Sequence, residues 1–349
     1  MSNYDQFAAA VKEISGGKNV VLLDDLGLPS VYVPINKLKN SEIISGGSEN
    51  THPAFSVNGV EKSRFLYSKY QNIVINGRAY SLSHRDPKTY VNFDQARQAC
   101  EAKGAGFHLG TLAEWAAVAL LTRKMGTMPH GNNNYGGDSA YTYEKGQESA
   151  KDNNKTGRTF TGSGPATWGH DHTQFGIQDM NGNVWEWLGG IRLNEGEIQI
   201  IPYNNAALGS ECDMSASSTL WKAIKNDGSL VAPGTAATLK YDFVSGNIQL
   251  TTGITSAQDA GRGGSYTAMT LASGVTAPEL AKALILYPDE PGKDYGGDYH
   301  WMNNAGERLP VAGGSWDLGA DAGVFGLGLH PARSYSGGRV GFRSAYVEL

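Results

Sequence analysis

Residues 175–190, FGIQDMNGNVWEWLGG, combine hard oxygen donors with two indoles, and two chemistries fit that spacing. In one, Trp185 and Trp187 anchor a strand, Asn181-Gly182-Asn183 makes a turn, and Glu186 is a surface carboxylate or the cap of a neighbouring loop. In the other, Asn181 and Glu186 join the backbone carbonyls of Gly182 and Val184 as ligands of a structural calcium ion. Both readings stay open from sequence. The GHDH pair, His170 and His172, lacks a third partner at metal-binding spacing and suits hydrogen bonding better. The two cysteines, Cys100 and Cys212, are too far apart for a zinc motif and too few for a disulfide framework, so both are read as structural thiols. Nothing in these constellations requires a cofactor.

The C-terminal stretch GGSWDLGADAGVFGLGLHPARSYSGGRVGFRSAYVEL contains no paired acid and base and no nucleophile beside an orienting histidine. Its composition suits recognition instead, over about residues 315–340. Gly319, Gly323 and Gly341 supply special backbone angles, while Trp316, Val324, Phe325, Leu327, Leu329, Val340 and Phe342 anchor the segment to a core. Between these anchors lie Asp317, Leu318, Asp321, Gly326, Gly328, His330, Pro331, Tyr335, Gly337, Gly338 and Arg339, the expected ligand-contacting positions, with Trp316, Phe325 and Phe342 as the scaffold beneath them. Tyr335 and Arg339 have the residue types that dominate binding hot spots. The competing reading makes them ordinary exposed loop residues. Residues 317–347 contain no Lys, Glu, Gln, Met or Trp, although these types form roughly a sixth of the chain and about five would be expected there.

The elements that must position these residues are legible in part. The chain has 349 residues and a slight acidic excess, Lys+Arg 29 against Asp+Glu 34, which provides no basic surface for nucleic acid. Its 46 glycines and 17 tyrosines predict a loop-rich α+β fold with short elements. Tyr4, Phe7, Ala8, Val11 and Ile14 share a helical face. NVVLL (19–23) and SVYVPI (30–35) read as strands, and the Ser/Gly/Asn-rich residues 40–62 as a connector, which places a boundary near residue 62. Asn76-Gly77 is a hairpin signal. Asn92 with Gln95, and Thr111 with Glu114, have capping-box spacing, with Gly104 and Gly126 as stops. Residues 127–180 read as ordered loop. Residues 191–310 read as an insertion holding strands such as EIQIIPY and NIQLTTG and a helix near 277–287. The N-terminus shows no secretory pattern and no run reaches membrane-spanning length, so cytoplasmic synthesis without membrane insertion is expected.

Taken in order, GTLAEW (110–115), FGIQDMNGNVWEW, AGGSWDLGADAG and VGFRSAYV resemble the formylglycine-generating-enzyme, or sulfatase-modifying-factor, type of C-type-lectin-like domain. The resemblance implies a C-type-lectin-like α+β fold over residues 63–349, preceded by a small N-terminal segment, 1–62, for oligomerisation or particle attachment. Family members that oxidise a substrate cysteine bind copper through two cysteines shortly after GGSW. The equivalent positions here are about Leu318 and Gly323, so the oxidase alternative has no visible ligands and no enzymatic activity is expected. The EPN and QPD triplets of calcium-dependent sugar-binding lectins are also missing.

The terminal block further resembles the variable region of proteins diversified by retroelements, phage tail receptor-binding proteins among them. In that system mutagenesis at the adenines of asparagine codons cannot produce Lys, Glu, Gln, Met or Trp, matching the depletion above. The resemblance implies a ligand- or receptor-binding protein of a phage or prophage tail, located on the virion after synthesis in the host. Its partner would be a cell-surface protein or glycan, and the protein itself a homo-oligomer, for instance a trimer. A virion decoration protein without a receptor is the other alternative.

Overall fold

The computed structural model describes residues 3–349. The N-terminal apolar spacing forms a helix, α1 (Asn3–Ile14), yet none of its residues is buried, so it lies on the surface. Strands β1 (Val20–Leu23) and β2 (Pro29–Asn36) follow as expected. The expected boundary at residue 62 is not there. The second half of β2 pairs with β3 (Arg64–Ser68), joining Tyr32 to Ser68 and Asn36 to Arg64 in one antiparallel register. The intervening polar stretch is not a free connector either, because Ile43, Ile44, Ala54 and Phe55 belong to the main hydrophobic core. A few apolar residues spaced through a Ser/Gly-rich segment are enough to bury it.

Both capping boxes form. Asn92 accepts from the Gln95 amide at 2.9 Å, while Gln95 reaches back to the Asn92 amide at 3.1 Å, opening α2 (Phe93–Glu101). After β4 (Phe107–Leu109), Thr111 and Glu114 make the same reciprocal bonds and start α3 (Leu112–Met125), which ends on Gly126 with φ +71°. The Glu114 carboxylate also accepts from His108 and Asn204, tying the helix start to β4 and to the distant residue-204 loop. Most of α3 is buried around its circumference, which makes it the central helix. The Asn76-Gly77 signal is likewise realised, with both residues at positive φ between strands 73–75 and 78–80.

Two sheets carry the C-terminal segment. β5 (Trp185–Trp187), β6 (Tyr299–Met302), β7 (Val311–Gly313), β8 (Gly323–Leu329) and β9 (Val340–Phe342) form a six-stranded sheet with a strand at 262–265, in the order 262–265, β6, β8, β7, β5, β9. The last strand, β10 (Ser344–Tyr346), enters the five-stranded sheet between β3 and β4. The chain terminus thus closes the fold against its beginning. Residues 191–310 are less separate than an insertion. They build the whole of an eight-stranded sheet, but they also contribute the 262–265 strand and β6 to the six-stranded sheet, where β6 lies parallel to β8. Among the described residues no helix is long and apolar enough to cross a membrane.

Candidate recognition surface

The C-terminal segment is built around β8. Its VFGLGL sequence alternates large apolar residues with glycine, the period of a strand with one face in the core. Phe325, Leu327 and Leu329 enter the main core, and Phe325 packs on Tyr266 and Tyr295 with ring centroids 5.6 and 4.9 Å away. The start of the strand is pinned by Asp298, a buried carboxylate that accepts from the Phe325 amide at 2.7 Å and whose pKa burial pushes well above the ordinary range. Trp115 of α3 donates to the Val324 carbonyl at 2.7 Å. Phe342 is buried in a second core cluster with Trp185 and Trp187, and Trp316 is buried as well.

Apart from Gly326 and Gly328, which lie within β8, the expected contact residues fall into two loops, 317–321 before β8 and 330–339 after it. Arg339 joins them. Its guanidinium lies 2.8 Å from Asp317 and 3.4 Å from Asp152, and 5.3 Å from the centre of the Trp316 ring. The Trp316 indole donates to the same Asp152 oxygen at 3.1 Å. Asp317 in turn accepts from the Ser315 hydroxyl at 2.8 Å. One face therefore carries both loops, with Asp152 from the 127–180 region as their shared partner. Sequence reasoning missed Asp152, which is 187 positions from Arg339 and has no local signature.

The second loop walls a groove of about 470 Å³, lined among others by Trp185, Arg308, His330, Tyr335 and Arg339. Tyr335 is 46% exposed. His330 is held neutral: burial, aided by the neighbouring Arg308 charge, pushes its pKa down to about 4, and its Nδ1 has no hydrogen-bond partner. The loop is bolted down by Arg333, which donates to Glu307 at 2.8 and 3.0 Å, to Asp94 at 2.9 Å and to the Met214 carbonyl at 2.9 Å. Gly337 and Gly338 lie against the ends of two exposed tyrosine side chains. A side chain at Gly337 would meet the Tyr335 hydroxyl, and one at Gly338 would meet the exposed Tyr90 ring. Tyr90, whose amide donates to the Gly337 carbonyl at 3.1 Å, was also missed by sequence reasoning, as were the exposed Ala320, Ser334 and Ser336.

Three expected contact positions require correction. Gly326, Gly328 and Pro331 are buried. Gly326 lies under the 321–323 turn, where an added Cβ would stand 2.9 Å from the Gly323 carbonyl. Gly328 is floor rather than contact: its Cβ would stand 2.9 Å from the His330 ring and 3.0 Å from Val311, both of which line the groove. Pro331 lines the same groove while hidden from bulk solvent. Leu318 and Asp321 are half-buried, and burial raises the Asp321 pKa.

The calcium reading of residues 181–186 is also corrected. Glu186 is neither a surface carboxylate nor free to coordinate. It is buried, and it accepts from Arg343 Nε at 2.7 Å and from Gln71 Nε2 at 3.0 Å. Gln71 also takes the Val184 carbonyl at 3.0 Å, while Asn181 accepts from Asn133 at 3.2 Å and donates to the Pro129 carbonyl at 2.9 Å. The Gly182 position is close against Asn132, whose carbonyl would lie 2.1 Å from an added Cβ. A buried guanidinium thus occupies the role that the sequence offered to a cation. Burial pushes the Glu186 pKa up, and Arg343 opposes the shift. Next to this pair Asp179, at φ +61°, has one oxygen without a partner, and burial pushes its pKa up to about 6.

Residues 34–219 match the sulfatase-modifying factor enzyme 1-like domain family. The chain belongs to that family. Its fold is a C-type-lectin-like mixture of few helices and many short strands. No curated protein matches the chain. Among solved structures it is similar to Treponema denticola variable protein 1, at 13% identity over 94% of this chain and 98% of that one, with a TM-score of 0.35. It is also similar to the Major Tropism Determinant P3c Variant, at 11% identity over 94% of this chain and 71% of that one, with a TM-score of 0.32.

The positions that correspond to the copper-binding cysteines of the oxidising family members carry no thiol in this chain. Leu318 offers a hydrocarbon side chain packed against the second core cluster. Gly323, at φ +153°, has the Asp298 carboxylate 2.2 Å from where a Cβ would be, so no thiolate fits there. The remaining thiols are buried, and burial raises both pKa values, that of Cys212 to about 11. The donor set does not fit a copper site.

Proposed function

We propose that this protein is a non-enzymatic binding protein whose loops 317–321 and 330–339 form a recognition surface diversified by a retroelement. The observation that carries this reading is the division of labour within one segment. Phe325, Leu327, Leu329, Phe342, Arg333 and Arg343 are fixed by the core or by multiple hydrogen bonds, whereas Tyr335, Arg339, Ser334 and Ala320 project from that frame. The depletion of five residue types between 317 and 347 supports the same reading. Substitution at the projecting positions removes little that the fold depends on, since exposed changes usually alter stability by no more than about 0.5 kcal/mol.

The partner in this reading is a protein or glycan on a target cell, and the setting is a phage or prophage tail. Repeated copies of a modest site, as in a homo-oligomer, would raise avidity through effective concentration. The test compares the intact chain with a variant carrying Asp317→Ser, Tyr335→Ser and Arg339→Ser in adsorption to candidate host cells. Adsorption lost by a variant that still melts cooperatively supports recognition through these loops. Equal adsorption by both proteins would refute it.

A further inference from the structure

A second cleft, of about 780 Å³, opens at the C-terminal end of α3, within the size range of small-ligand sites, ~300–1,000 Å³. Tyr141 stacks on His130 with ring centroids 3.7 Å apart and planes within 9°, and Tyr141 is still 42% exposed. The stack is held from behind. Glu144 accepts from His130 Nδ1 at 3.0 Å and from the Trp168 indole at 3.0 Å, which fixes the imidazole and with it the phenol. Tyr143 stands edge-on to Tyr141 at 6.4 Å and is 80% exposed. Tyr141 and His130 thus form a flat, pre-positioned aromatic pair in the cleft lining, with Tyr143 standing at its edge.

The charges around the platform balance. Arg123, Lys124 and Lys293 line the cleft together with Asp289, Glu290 and Asp294. Arg123 is already paired with Glu290 at 2.8 Å and Asp289 at 3.4 Å. Such a lining favours neither an anion nor a cation. It offers donors and acceptors side by side, as a neutral ligand with many hydroxyls requires, beside a surface on which C–H faces can stack. His130, Tyr141 and Asp294 also line a smaller adjoining cavity that reaches Ala320 and Gly323, so the cleft runs up to the first of the two C-terminal loops.

We propose that this cleft is a metal-independent binding site for neutral saccharides, with the Tyr141 ring as its stacking platform. The assignment does not depend on the C-terminal loops being diversified or adhesive.

The test is saturation-transfer difference NMR of the intact chain with lactose, maltotriose, chitotriose and methyl mannoside, with sialic acid as a charged comparison. The expected result is transfer to the ring protons of at least one neutral probe, unchanged by EDTA. Affinity should fall at least ten-fold in Tyr141→Ala, stay within about two-fold in Tyr141→Phe, and stay unchanged in Tyr335→Ala. Lys293→Ala, at an exposed position, should weaken binding and provides a second readout should Tyr141→Ala unfold. Silence from all four neutral probes, a response from sialic acid alone, loss in EDTA, or binding that survives Tyr141→Ala would each overturn the proposal. Loss in Tyr335→Ala with retention in Tyr141→Ala would move saccharide binding to the C-terminal groove, so the two sites fail separately.

Discussion

Replacing Gly328 by alanine adds the Cβ whose surroundings are known: the His330 ring at 2.9 Å and the Val311 methyl at 3.0 Å. Such contacts are too close, and overpacking of this kind costs about 1–3 kcal/mol. Loss of glycine's unfolded-state freedom returns about 0.4–1 kcal/mol, leaving a net loss of roughly 1–2 kcal/mol. Because the His330 ring is one of the two close neighbours, His330→Ser should remove one of the two clashes. The double variant Gly328→Ala/His330→Ser should then be more stable than the sum of the single effects predicts, by about 1 kcal/mol. The assay is equilibrium urea unfolding of the wild type, both single variants and the double variant. Additivity within about 0.3 kcal/mol, or a Gly328→Ala protein more stable than wild type, would refute the placement of Gly328 as floor beneath His330. If the coupling holds, residues 328 and 330 can vary only as a pair, one large and one small.

Three further outcomes are expected. Arg343→Met, which strands a buried Glu186 and the Lys69 and Gln178 carbonyls, should destabilise the fold by about 3–5 kcal/mol in the same assay, and millimolar calcium should not restore it. Asp179→Asn should stabilise the protein at pH 8 by about 1–3 kcal/mol and have little effect near pH 4, measured by urea unfolding at both pH values. The sign follows from a folded pKa raised above the unfolded value: the carboxyl is protonated in both states below pH 4, and stability falls as pH rises through about 6. Arg339→Ala should change stability by less than about 1 kcal/mol, because the group is 48% exposed and its ion pairs are solvent-screened, while lowering cell adsorption at least ten-fold.

Local signals in the sequence were legible where the chemistry was local. The two capping boxes and the Asn-Gly hairpin satisfy their hydrogen bonds within a few residues, and each appears where its spacing places it. FGLGL is read only in part: its alternation of Phe and Leu with glycine is a strand period that sends the large residues to the core and Gly326 and Gly328 to the opposite face, and only the tertiary packing of the 321–323 turn, His330 and Val311 on that face buries the two glycines. The connector reading of residues 40–62 failed because average polarity hid Ile43, Ile44 and Phe55, which suffice to dock the segment. Least legible were the long-range polar partners. Glu186 with Arg343 and Arg339 with Asp152 are separated by 157 and 187 positions, and no spacing rule pairs them. The calcium reading arose from that blindness, since an acidic residue awaiting a cation looks the same whether the cation is a metal or a distant arginine.

The central claim is that a fixed frame carries a changeable surface, and the DNA downstream of the coding sequence tests it most directly. The account predicts a near-copy of the segment encoding residues 313–349 whose differences are adenines at codons for surface and groove positions, such as Asp317, His330, Tyr335 and Arg339. It predicts none at the codons for Trp316, Phe325, Leu327, Leu329, Phe342 and Arg343. Absence of such a copy, or differences falling on the buried frame as often as on the exposed loops, would contradict it.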